Sequence, residues 1–136
     1  MAWSFTSRAP VYMQIVSRIR ADILGGVYKP DQQIPAVRQL AQTAGVNPNT
    51  MQRAFAVLEA EQLFITRGTI GRFITTDTEV LARAREVMRR ETVARIIEEA
   101  AAVGISPDEL IEGIRAYQNQ AATPSDSDAS DPNTTE

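Results

Sequence analysis

The chain has neither cysteine nor histidine among its 136 residues. Lack of cysteine rules out disulfides and thiolate metal sites. Lack of histidine removes the commonest general base and the commonest metal ligand, and with them zinc fingers and most catalytic triads. Long apolar runs are missing too: none approaches the roughly 20 residues needed to span a bilayer. The opening segment MAWSFTSRAP has no basic stretch followed by an apolar one, so it does not read as a secretory signal. The expectation is a cytoplasmic protein that is not an enzyme and uses no cofactor and no metal. Ser, Lys and carboxylates remain as possible catalytic groups, but they stand in no recognisable arrangement, and Glu91, Glu98 and Glu99 read as a solvated helix face.

The net charge of −3 hides a division. Residues 1–76 carry eight basic and four acidic side chains, a balance of +4, and residues 77–136 carry six and thirteen, a balance of −7. Such asymmetry suggests a nucleic-acid surface in the first half; solvated helices that differ in charge by chance are the plain alternative.

The stretch Ala36–Leu63 explains the basic half. Val37, Leu40 and Ala41 mark the inner side of one short helix that starts near Pro35. Gly45 suits a left-handed turn, and Asn47 and Pro48 restart a helix as N-cap and first helical residue. In that second helix, expected from Pro48 to about Glu61, Met51, Ala54, Phe55 and Leu58 recur at helical spacing, leaving Asn49, Thr50, Gln52 and Arg53 outside. Amides, a hydroxyl and a guanidinium at the start of a docked helix are the groups that hydrogen-bond base edges and phosphates. The pattern predicts a helix-turn-helix DNA reader, with one or two of these side chains reading sequence and the others holding register on the backbone. Free N–H groups at the helix start are expected to add a phosphate site. Asn47 reads as a structural cap rather than a reader.

Around this motif the pattern predicts a first helix over residues 10–25, with Tyr12, Ile15, Val16, Ile19 and Ile23 on one stripe, and an edge strand at Gln33-Ile34. Leu63–Thr66 and Arg72–Thr75 flank Arg67-Gly68-Thr69-Ile70-Gly71 as a β-hairpin. Three helices and a hairpin make a winged helix-turn-helix. Arg67 and Arg72 are candidate DNA contacts in the wing, and Gly71 is expected to let the backbone approach a sugar–phosphate strand; a plain hairpin with solvated arginines is the alternative. Tyr12, Phe55, Phe64 and Phe73 are expected in the core.

Asp77 and its threonine neighbours predict the cap of a long helix over about 79–103, ended by Gly104, and Ser106-Pro107-Asp108-Glu109 reads as a capping box for another. Both helices carry more apolar positions than one mutual contact uses, which suggests pairing between subunits, with ordinary intramolecular core as the alternative. Two helices scarcely enclose the roughly 300 Å³ of a drug-sized pocket except between subunits, so no effector is assigned. Residues 119–136, rich in Ser, Asp, Thr, Pro and Asn, read as a disordered acidic tail. The fold class is thus mainly α with a small β-hairpin. A winged helix-turn-helix occupies residues 1–76, a two-helix dimerisation region 77–118 and the tail 119–136.

Residues 10–76 resemble the GntR family of bacterial transcription regulators. P-V-Y-x-Q-I, K-P-x-x-x-I-P-A-V-R-x-L-A, G-V-N-P-N-T-x-Q-R-A and G-R-F-I occur in the family's order and spacing. The two-helix remainder is similar to the YtrA subfamily, which carries a short helical dimerisation region instead of a large effector domain. The resemblance implies a homodimeric repressor on a pseudo-palindromic double-stranded operator, often beside genes for ABC-type transporters or envelope functions. It also marks Arg38 as a DNA-contacting arginine, against the alternative of a surface arginine or ion-pair partner. The chain departs from the family at Pro48, where many longer relatives have an arginine, and at Gln62, where glycine is usual. It also has a single basic residue, Arg67, before the wing loop. A rival reading is a winged-helix module that binds a protein and not DNA.

Overall fold

The computed structural model describes residues 2–122. Its elements in chain order are α1 (Val11–Leu24), α2 (Val37–Ala44), α3 (Pro48–Ala60), β1 (Phe64–Arg67), β2 (Gly71–Ile74), α4 (Thr78–Ala102) and α5 (Pro107–Ala122). The chain divides into one compact unit that runs to Met88 and a second that begins at Arg89, so α4 contributes to both.

In the first unit the apolar stripes of α1 and α3 meet. Ile15, Val16, Ile19 and Ile23 of α1 are buried with Met51, Ala54, Phe55 and Leu58 of α3, and Leu40, Ala41 and Ala44 of α2 close the cluster. The Phe55 ring meets Phe64 edge-on at 5.0 Å, which ties the hairpin to the helices. Emptying a fully buried aromatic site of this kind typically costs about 3–5 kcal/mol. β1 and β2 pair antiparallel, Phe64 opposite Ile74 and Arg67 opposite Gly71. The expected edge strand forms as a short third rung. Gln33 bridges to Phe73, and the Ile34 N–H donates to the Arg72 carbonyl at 3.0 Å.

The turn between α2 and α3 follows the residues expected to make it. Gly45 takes φ 77°, and a Cβ there would lie 2.8 Å from the Cβ of Ala2, so both backbone and space require glycine. Ala2 belongs to an N-terminal arm that local pattern did not reveal. The Trp3 N–H donates to the Ala44 carbonyl at 3.1 Å, and the Trp3 ring lies beneath the Arg18 guanidinium at 4.0 Å. Gln14 fastens the arm's backbone from α1 at Thr6 and Ala9.

Asp77 caps α4, its carboxylate accepting from the N–H groups of Glu79 and Val80. Val80 joins the core of the first unit, and Leu81 and Ala84 pack against it. The Arg85 side chain donates to the Leu24 carbonyl at 3.1 Å. In the second unit, the Ser106 hydroxyl and Glu109 carboxylate exchange hydrogen bonds with each other's backbone N–H groups, a reciprocal capping box. α5 continues through Asn119–Ala122, beyond the start expected for the tail; the remainder of that tail lies outside the described residues. Among the described residues no helix is long and apolar enough to cross a membrane.

Candidate nucleic-acid interface

α3 presents the polar side chains expected of it. Asn49, Gln52 and Arg53 are exposed and Thr50 is half-buried, while Met51, Ala54, Phe55 and Leu58 are buried on the opposite side. The helix start differs from expectation. Pro48 has no N–H, the Asn49 N–H is taken by the Asn47 side chain at 2.7 Å, and those of Thr50 and Met51 donate to the Asn47 carbonyl at 3.0 and 3.2 Å. The cap that the sequence predicted satisfies the donors that were expected to be free for phosphate. What this helix end leaves open are its exposed side chains.

Arg53 is not solvated loosely. Its guanidinium stacks on the Tyr12 ring at 3.9 Å, so Tyr12 is half-buried at the surface rather than in the core. Stacking fixes the plane of a guanidinium while leaving its N–H edges able to donate. Pro10, Val11, Tyr12, Asn49, Thr50 and Arg53 line an open cleft of about 400 Å³. Arg38, at the second position of α2, is exposed and has no hydrogen-bond or ion-pair partner among the described residues. α2 begins without a side-chain cap and without an acid in its first turn. Arg38 thus stands at a helix end where N–H groups and positive charge coincide.

The wing arginines are engaged within the chain. Arg67 pairs with Asp31 and lies over the Phe73 ring at 4.3 Å, which leaves Phe73 half-buried beneath a cation instead of in the core. Arg72 is partly buried. Its Nε lies 3.4 Å from the Glu59 carboxylate, within ion-pair range but without hydrogen-bond alignment, and its guanidinium is 5.3 Å from the Phe55 ring. The same Glu59 oxygen accepts from the Thr66 hydroxyl, so one carboxylate near the end of α3 holds both strands. Gly71 lies against Gln33. A Cβ there would lie 2.7 Å from the Gln33 amide nitrogen, which donates to the Ile70 carbonyl at 2.9 Å. The missing side chain makes room for the wing's own packing. Asp31, Gln33 and Glu59 are the partners of these candidate residues that pattern missed, because each acts on a residue remote in sequence or on another element.

A family model described as "Bacterial regulatory proteins, gntR family" matches residues 11–74. The HTH-type transcriptional repressor YtrA of Bacillus subtilis is 31% identical over 110 residues, covering 80% of this chain and 85% of that protein. The chain belongs to the GntR family. Within that family it is YtrA-like, since the likeness to YtrA extends beyond the winged helix-turn-helix. A GntR regulator from Listeria monocytogenes superposes with a TM-score of 0.72 at 29% identity, covering 82% of this chain and 98% of that one. The DNA-binding domain of AraR, solved with its operator ORX1, superposes with a TM-score of 0.50 at 27% identity over 55% of this chain and 99% of that one. This GntR chain is accordingly a transcriptional regulator with a DNA-binding domain, and not an enzyme. All eight residues expected to contact DNA fall inside the matched segment, whereas the N-terminal arm and everything from Asp77 onward fall outside it.

Proposed function

We propose that the chain is a cytoplasmic homodimeric repressor that reads a pseudo-palindromic operator, controlling an operon of transporter or envelope type. The observation that carries this reading is the outer face of α3. Asn49, Thr50, Gln52 and a stacked Arg53 stand together on a helix whose other side is the core, as base readout requires. Arg38, unpaired at the start of α2, holds a phosphate and fixes register. Arg67 serves the wing once released from Asp31. Arg72, gripped by Glu59, contributes chiefly by holding the wing against α3. Gly71 supports the loop from behind. The operator complex of the AraR DNA-binding domain and the repressor YtrA of Bacillus subtilis support the same direction.

Dimerisation is supported by the second unit. Not one described residue from Arg89 onward is buried, and Ile96, Ile97, Ile111, Ile114 and Tyr117 are all exposed. A helical segment with that much open apolar surface calls for a partner, and a second copy supplies one with two-fold symmetry.

Selection of duplexes from a random pool, followed by footprinting upstream of the chain's own gene, tests the reading. A selected site with two inverted half-sites is expected. Arg38→Ala should weaken binding to all duplexes and lower the salt slope by about 1 per half-site, whereas Arg53→Ala should cost about 1–3 kcal/mol and relax preference at one base pair. Unchanged retention of the selected duplex by the double variant would remove this face from the interface and favour a protein partner.

A further inference from the structure

Asp31 carries a feature that DNA reading alone does not call for. It is one of only two described non-glycine residues with positive φ, at 69°, in a turn fixed on both sides. Its N–H donates to the Ile74 carbonyl at 2.9 Å, and the Lys29 N–H donates to the Gln32 side chain at 2.9 Å. A backbone in this region is held by its surroundings, and such residues cluster at clamps and switches. Here the clamp is visible: the Asp31 carboxylate takes the guanidinium of Arg67 at the base of the wing loop, while Phe73 supports its face at 4.3 Å.

We propose that Asp31 determines specificity by keeping Arg67 closed except on a fitting site. The proposal rests on the reading of Arg67 as a wing contact. Both partners remain accessible, Arg67 at 44% and Asp31 at 59% of side-chain exposure, so the pair is a weak surface bond that a phosphate or a narrow minor groove can replace. On random DNA the wing is not seated, Arg67 stays with Asp31, and one cation is withheld from non-specific binding. On an operator the wing seats and the guanidinium exchanges partners. Glu59 completes the arrangement, because it occupies the wing's other arginine and prevents Arg72 from substituting.

Asp31→Asn is the informative variant, since asparagine tolerates positive φ and keeps nearly the same shape while losing the charge. The full chain is measured on the duplex it selects from a random pool and on a mixed-sequence duplex of equal length, at about 50 and 200 mM salt. The variant should bind mixed-sequence DNA more tightly, with a gain about threefold larger at the lower salt for each protomer, as one added phosphate contact implies. Affinity for the selected duplex should change less, so the ratio between the two falls. In an Arg67→Ala background the same substitution should gain little. Unchanged or weaker mixed-sequence binding by Asp31→Asn overturns the proposal, and so does a full gain in the Arg67→Ala background, which would mark Asp31 as a merely repulsive charge. If Arg67→Ala alone leaves both duplexes unaffected, the wing-contact reading fails first.

Discussion

Gln62 occupies a backbone conformation that ordinarily belongs to glycine, with φ at 67°. Its N–H donates to the Glu59 carbonyl at 2.9 Å and that of Leu63 to the Leu58 carbonyl at 3.0 Å, the paired bonds of a Schellman ending, with Leu58 and Leu63 both buried. The corner is kept despite the departure from the family's glycine. Its conformation, though, places a Cβ where L-residues are disfavoured. Gln62→Gly should raise stability by about 0.5–1 kcal/mol, read from urea midpoints, because relief of strain exceeds the extra entropy of the unfolded chain. Asp22 yields a pH prediction. Burial holds its carboxyl above the ordinary 3.8, with Arg18 drawing it partly back. The folded state therefore binds this proton more tightly than the unfolded one, so its contribution favours low pH and is lost as pH rises through the folded value. Asp22→Asn should be more stable than the parent near pH 7 and equal to it near pH 3, and a constant difference across that range would contradict this assignment.

At the scale of elements, what the sequence made legible follows the range of the forces involved. α3 could be read almost to the residue, because its start is set by Asn47 and Pro48 and its buried stripe by residues one turn apart. The capping box of α5 was legible for the same reason, and Ser106→Ala should cost about 1 kcal/mol and reduce helicity by circular dichroism. The wing's attachment was not legible. Asp31 and Arg67 are 36 positions apart, and no local period announces that a turn carboxylate will meet a strand arginine. Gly71 shows the same limit from the other side. Its positive φ at 139° fits the glycine-rich loop, but what fills the space beside it comes from Gln33 on another segment. Glu59 makes a test of this coupling. Glu59→Ala removes the shared partner of Thr66 and of the partly buried Arg72, and should destabilise by about 1 kcal/mol. Amide exchange should accelerate at Ile74 and Thr75 while α1 stays protected. Equal acceleration throughout would mean that the carboxylate supports the whole core and not the wing.

For the whole molecule the decisive fact is where α4 changes allegiance. The charge division placed a boundary after residue 76, close to the end of the hairpin, but the first unit runs on to Met88. The reason is Val80, 7% exposed in the core, reinforced by Leu81, Ala84 and the bond from Arg85 to Leu24. A truncation after residue 78 would strip that apolar support and confuse misfolding with loss of dimerisation. Ending the chain at Met88 keeps the core closed and removes only the segment in which no described residue is buried. Under the proposed dimer, the 1–88 fragment should be a folded monomer by sedimentation, with thermal unfolding still cooperative. Its affinity for a two-half-site duplex should fall by about 10²–10⁴, the advantage conferred by linking two modules, while its affinity for a single half-site should match that of the full chain. Ile97→Glu in the full chain should do the same by placing a charge on the apolar face. A 1–88 fragment that still sediments as a dimer would move the pairing surface onto the winged helix, and the exposed isoleucines of the second unit would then need a different partner.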